Sequence, residues 1–141
     1  MKNINQEFNI STDKSKLDIA TIHDYLSNRS YWAKGRSLET VNTSIENSLC
    51  FGMYDELGKQ IGFARVATDF ALFAYIMDVC VFEEFRGQGF GKVLMNYIIN
   101  YPSLQGIRRI MLATKDAHGL YEKYGFKVAA QPETIMELIK N

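Results

Sequence analysis

The run Val79-Cys80-Val81-Phe82-Glu83-Glu84-Phe85-Arg86-Gly87-Gln88-Gly89-Phe90-Gly91-Lys92 carries the densest chemical information in the chain. A strand-like stretch passes into a glycine-rich turn, which opens an amphipathic helix with Phe90, Val93, Leu94, Tyr97 and Ile98 at helical spacing. Glycines let successive main-chain N–H groups converge on a ligand without side chains in the way. The helix N-terminus adds a partial positive charge and Arg86 a full one, so the turn suits a phosphate or pyrophosphate. Two common phosphate loops do not fit. A dinucleotide fingerprint needs glycine where Lys92 stands, and an acidic residue about 20 positions on, where the chain has the apolar Ile110-Met111-Leu112. A nucleoside-triphosphate loop needs glycine and a hydroxyl where Arg86 and Val93 stand.

Periodicity identifies the elements that must hold this turn. Residues 7–11 read as a first strand. Asp18 can cap a helix carrying Ile19, Ile22 and Leu26, and Ser30-Tyr31-Trp32-Ala33-Lys34-Gly35-Arg36 breaks the period as a loop. A second helix starts at Ser37, with Leu38, Val41 and Ile45 as its apolar stripe. Residues 49–54, 60–68 and 73–82 form an antiparallel meander, with turns at 55–58 and around Asp69. The helix after the glycine turn stops before Pro102. Residues 107–113 read as a buried strand and 116–124 as a short helix capped by Asp116; 126–128 and 134–139 close as a strand pair. The pattern predicts an α/β (α+β) fold, a mixed twisted sheet of six to seven strands with about four helices on its faces.

With 141 residues the chain has enough material for one core, so residues 1–141 are expected to form a single domain. Its 16 basic and 16 acidic side chains supply no basic field for general nucleic-acid binding. The most apolar stretch, residues 70–82, is interrupted by Asp78 and is too short to span a bilayer. The N-terminal residues lack the apolar run of a secretory signal. Cys50 and Cys80 stand alone, away from any histidine cluster, which points to reduced thiols in a cytoplasmic protein rather than a disulfide or a metal site. The 13% aromatic content is compatible with a homodimer.

The spacing Arg86-x-x-Gly89-x-Gly91 resembles the acetyl-CoA loop of the GCN5-related N-acetyltransferase (GNAT) family, Q/R-x-x-G-x-G/A after the fourth strand. Leu120-Tyr121-Glu122-Lys123-Tyr124-Gly125-Phe126 is similar to the family's L-Y-x-K-x-G-F segment, and the element order agrees over nearly the whole chain. The Asp-Ala-His-Gly-Leu-Tyr run resembles a bacterial branch that brings no substrate with it. The resemblance implies a sheet splayed between its fourth and fifth strands. The backbone of Val79, Cys80 and Val81 would then hold pantetheine by strand addition. Amides of Arg86, Gly87, Gln88, Gly89, Phe90, Gly91 and Lys92 would hold the pyrophosphate. Thr114 stands where the family often has an asparagine contacting CoA. Tyr121 stands where many members keep a tyrosine that protonates the departing thiolate; the alternative is a core aromatic. The implied activity is direct acetyl transfer from acetyl-CoA to a primary amine, without a metal. A CoA-binding sensor without turnover and transfer of a larger acyl group are the rivals.

An attacking amine must lose a proton. Asp78, placed by strict alternation on the face of Ile76 and Cys80, reads equally as a catalytic base or a structural acceptor. Asp69, Glu83, Glu84, His23 and Asp24 are further candidates, and a water chain could replace them all. His118 reads as a tuner of Tyr121 or as a surface residue. Cys80 has no cation or histidine beside it, which argues against an acyl-cysteine route. On the acceptor side, Tyr31, Trp32 and Arg36, with Tyr75 and Arg65 from the meander, could line a pocket. Arg36 would suit an acceptor bearing a carboxylate or phosphate. In the competing reading, Tyr31 and Trp32 plug the core edge and Arg36 caps the neighbouring helix.

Overall fold

Local capping places the two N-terminal helices. The Asp18 carboxylate accepts the amide and hydroxyl of Thr21 at 3.1 and 2.7 Å, starting α1 (Ile19–Arg29). Ser37 Oγ accepts the Thr40 amide at 3.1 Å, starting α2 (Leu38–Glu46). The computed structural model describes residues 8–140, so Glu7, expected to open the first strand, lies outside the described residues. Strands β1 (Phe8–Ser11), β2 (Leu49–Asp55), β3 (Gln60–Thr68), β4 (Phe73–Val81) and β5 (Arg109–Leu112) lie side by side in sequence order. All neighbours are antiparallel except β4 and β5, which run parallel. That parallel step requires a crossover, supplied by α3 (Phe90–Ile99). A short α4 (His118–Glu122) follows β5.

The helices cover opposite faces. Ile22, Tyr25 and Leu26 of α1 and Val41 and Ile45 of α2 pack on Cys50, Phe63 and Cys80. Leu94, Met95 and Ile98 of α3 pack on Phe51, Ala64, Val66, Ala74 and Ile76. Each such large apolar side chain, fully buried, contributes about 1.5–3 kcal/mol. No helix among the described residues is long and apolar enough to cross a membrane.

Two irregularities mark β4. Its pairing with β5 runs only from Phe73↔Arg109 to Ile76↔Leu112, so residues 77–81 continue without a strand on that side. The expected splay is present. On the other side, Phe63 pairs with Cys80 but Arg65 with Met77, leaving Asp78 and Val79 together opposite Ala64. Asp78 sits at φ 55°, a left-handed conformation that aspartate tolerates better than most side chains. This bulge overturns the expected alternation: Ile76 faces α3, whereas Cys80 faces α1 and α2.

The sheet contains five described strands rather than six to seven. Residues 126–128 and 134–139 form no ladder, and a 3-10 turn at Pro132–Thr134 interrupts them. Their apolar pattern has strand propensity, but Met136 and Leu138 are 92% and 82% exposed. A cavity of about 580 Å³ separates β5 from Thr134 and Ile135, and propensity without a paired neighbour makes no strand. A second correction concerns α4. Asp116 does not cap it; the helix begins after Ala117, whose amide is held by Thr114 Oγ1 at 3.0 Å.

Candidate active site

The glycine turn lies where the unpaired end of β4 meets α3. Gly87 and Gly89 have φ of 80° and 86°, conformations that favour glycine. Gly89 is the N-cap of α3 and offers no side-chain acceptor, so the first-turn amides of Phe90, Gly91 and Lys92 remain free for an anion. A Cβ added at Gly91 would meet only Val81 Cγ2, at 3.9 Å. The fold therefore does not require glycine there, whereas a ligand resting on the helix end would.

Arg86 is committed differently from the rest of the turn. Its amide donates to the Glu83 carbonyl at 3.2 Å, its Nε to the Val81 carbonyl at 3.1 Å, and its Nη2 to the Tyr25 hydroxyl. These bonds brace the turn against β4 and α1.

Tyr121 stands on α4 across the splay, edge-on to Phe126 at 6.0 Å. The neighbouring Tyr124 hydroxyl donates to the Lys92 carbonyl at 3.1 Å, tying the segment after α4 to the first turn of α3. Burial, followed by the proximity of Tyr31 and Asp116, holds the Tyr121 phenol above its ordinary range. It is consequently protonated at neutral pH. Tyr121 and Thr114 line both the larger cavity and a second one of about 240 Å³.

The second cavity collects Tyr31, Trp32, Arg36, Arg65 and Tyr75 around Asp78. Asp78 Oδ1 accepts Trp32 Nε1 at 2.8 Å; Oδ2 accepts Arg36 Nη1 and Arg65 Nε, both at 2.9 Å. The Asp78 side chain is 2% exposed, against 22% for Arg36 and 12% for Arg65. Arg65 also donates to Ser48 Oγ at 3.1 Å and makes a weak contact with Met77 Sδ. Tyr31 and Trp32 meet at 5.2 Å, T-shaped, and remain 54% and 39% exposed, so they line an opening rather than plug a core. Arg36 does not cap α2; that role belongs to Ser37. Ser48 is a participant that sequence reasoning missed, because nothing in the local pattern marks a serine before β2 as a partner of Arg65.

The other carboxylates considered as bases are occupied elsewhere. Asp69 holds the amides of Ala71, Leu72 and Phe73, which lower its pKa. Asp24 and Glu83 pair with Arg29, and Glu84 with Lys59 at 3.4 Å. His23 Nε2 donates to the Arg36 carbonyl at 3.0 Å. Complete burial drives the Cys80 thiol far above its usual range, leaving it protonated and unreactive.

Residues 18–126 match the family model described as Acetyltransferase (GNAT) family. A candidate acetyltransferase of Gibberella zeae is 30% identical over 138 residues, covering 83% of this chain and 77% of the relative. The uncharacterized N-acetyltransferase ycf52 of Gracilaria tenuistipitata var. liui is 36% identical over 100 residues, or 67% of this chain; the match spans only 54% of that protein. Among solved structures, a Xanthomonas campestris pv. campestris protein described as belonging to the GNAT family superposes with a TM-score of 0.91 at 48% identity, over 95% of this chain and 94% of that one. Glucosamine-6-phosphate N-acetyltransferase from Arabidopsis thaliana shares the fold, with a TM-score of 0.66 at 19% identity over 96% of this chain and 100% of that one.

Proposed function

The chain belongs to the GNAT acetyltransferase family, and from that premise we propose that it transfers acetyl from acetyl-CoA directly to a primary amine. The observation that carries this reading is the α3 N-terminus, uncapped by any side chain and set beside a β4 edge that is unpaired beyond Ile76. The residues present fit the donor. Amides of Gly87 to Lys92 offer the pyrophosphate a cradle, and the backbone of Val79, Cys80 and Val81 offers pantetheine an unpaired edge. Arg86 supports the cradle from behind rather than reaching into it, given its bonds to Val81 and Tyr25. Thr114 serves the donor side indirectly, by holding the start of α4.

When bound, acetyl-CoA supplies the activated acetyl group. Tyr121 Oη holds the proton that the leaving sulfur needs, and its raised pKa keeps that proton in place before the reaction. Asp78 is assigned as a positioning residue, not a base. Its two oxygens already accept from Trp32, Arg36 and Arg65. No dedicated side-chain base is assigned, and the amine enters in its neutral form.

The test is calorimetry of acetyl-CoA binding together with thiol release across an amine panel. Saturable binding with amine-dependent thiol release is expected. Binding without thiol release would leave a CoA sensor, and no binding would remove the donor.

A further inference from the structure

We propose that the acceptor carries its own oxyanion group, a carboxylate or a phosphate, and that Arg36 receives it. The assignment of this group to an acceptor rests on the acetyltransferase reading; the anion site itself does not. Of the residues lining the 240 Å³ cavity, Arg36 and Arg65 are cationic and Asp78 is anionic, so its wall retains one uncompensated positive charge. Beyond the wall, Lys115 Nζ lies 5.7 Å from the centre of the Tyr31 ring, and Asp116 lies near enough to Tyr121 to raise its pKa. These two offset each other at the rim.

The two arginines are not equivalent. Arg65 is held by Asp78, Ser48 and Met77. Arg36 commits only Nη1, to Asp78, and keeps the rest of its fork of donors free. Its position is fixed from the main chain: its amide donates to the Ala33 carbonyl at 3.1 Å and its carbonyl accepts His23 Nε2 at 3.0 Å. The preceding Gly35, at φ 77°, donates to the Ser27 carbonyl at 3.0 Å. A planar guanidinium fixed in this way and opening into a cavity is suited to bidentate oxyanion binding.

The donor does not supply the matching charge. Neither Arg86 nor residues 87–92, which form the phosphate cradle, line this cavity, and a thioester is neutral. The compensating anion therefore belongs to the molecule that brings the amine. Tyr31, Trp32 and Tyr75 provide flat walls for its apolar part. In the transfer, the amine nitrogen forms a bond to the acetyl carbon, the carbon–sulfur bond breaks, the amine loses a proton to solvent, and Tyr121 gives one to sulfur and regains one from solvent. The product is an N-acetylated anion. Polycationic amines are excluded, because they would place further positive charge against Arg36.

The test measures binding to the full chain in the presence of CoA by calorimetry, using amines matched except for the anion: phenylalanine against phenethylamine, and phosphoethanolamine against ethanolamine, with spermidine as the polycation. At least one anionic member should bind about 10- to 150-fold more tightly than its partner, the size of a charge-assisted hydrogen bond, and the pair that does so separates carboxylate from phosphate. Arg36→Gln should abolish the preference, and Arg36→Lys should retain part of it, which separates loss of the charge from loss of the fold. Equal binding within both pairs, tighter binding of spermidine, or a preference that survives Arg36→Gln overturns the proposal. Thiol release from acetyl-CoA is measured in parallel: a preference without turnover defeats the transfer reading and leaves the anion site standing.

Discussion

The two sides of the splay are built from different materials. The donor side is main chain, two left-handed glycines and the free amides of one helix turn, all within residues 79–92. The acceptor side is side chain, with Trp32, Arg36, Ser48, Arg65 and Asp78 drawn from the loop after α1, the residue before β2, and strands β3 and β4. A backbone cradle is insensitive to most side-chain changes and can serve one unchanging ligand. A side-chain pocket changes its charge with one substitution, and so it is where acceptor choice can diverge on a common fold.

Substitutions on each side sharpen that contrast. The largest effect is expected at Tyr121, which faces both sides. Tyr121→Phe should lower kcat for thiol release by about 10²–10⁴-fold with acetyl-CoA affinity unchanged. An unchanged kcat would remove the acid role.

Asp78→Asn comes next. Breaking a buried ion pair costs about 3–5 kcal/mol, and the lower end applies here because the amide still accepts from Trp32 and Arg36 opens into a cavity. Urea unfolding measures this. The same variant should raise KM for the acceptor while retaining the rise of rate with pH, since that limb belongs to the amine; its disappearance would restore Asp78 as a base.

The donor side should respond to backbone conformation and ligand space separately. Gly89→Ala forces a left-handed alanine and should cost about 1–2 kcal/mol of stability. Gly91→Leu should be neutral or stabilising by up to about 1 kcal/mol, because it replaces a helical glycine with open space around its Cβ. It should nevertheless weaken acetyl-CoA binding at least about tenfold, and unchanged affinity would show that the cradle lies elsewhere.

The smallest effect is a shared property of the core. Burial raises Cys50 to about 11 and Tyr54 to about 12, so the folded chain retains protons that the unfolded chain releases above its ordinary thiol and phenol pKa values. Stability contributed by these groups is complete below the unfolded values and is lost as pH rises through 9 to 12. The urea midpoint should be lower at pH 10.5 than at pH 8, and alkylating reagents should modify neither cysteine before unfolding.

Local interactions explain why so much of the frame is legible. Asp18 and Ser37 cap the helices they precede, β3 spans Gln60–Thr68 as read from the sequence, and α3 follows its 3.6-residue period from Phe90. The tail departs from its pattern for the opposite reason. Its apolar content is a local property, but a strand also needs a neighbour, and β5 is separated from it by a cavity. Asp116 loses the expected capping role because the helix starts one residue later than expected, with Ala117 at the N-cap and its amide held by Thr114 Oγ1.

The order of helices and strands from β1 to α4, the glycine turn and the position of Tyr121 follow from the sequence alone, because each depends on residues within a turn or two of one another. The role of Asp78 does not. A one-residue bulge in β4 turned its carboxylate away from the face of Ile76, and the packing of distant elements surrounded it with two guanidinium groups and an indole. Register and long-range charge pairing are decided only when the chain closes on itself, since the groups involved are separated by up to 46 positions and meet nowhere else.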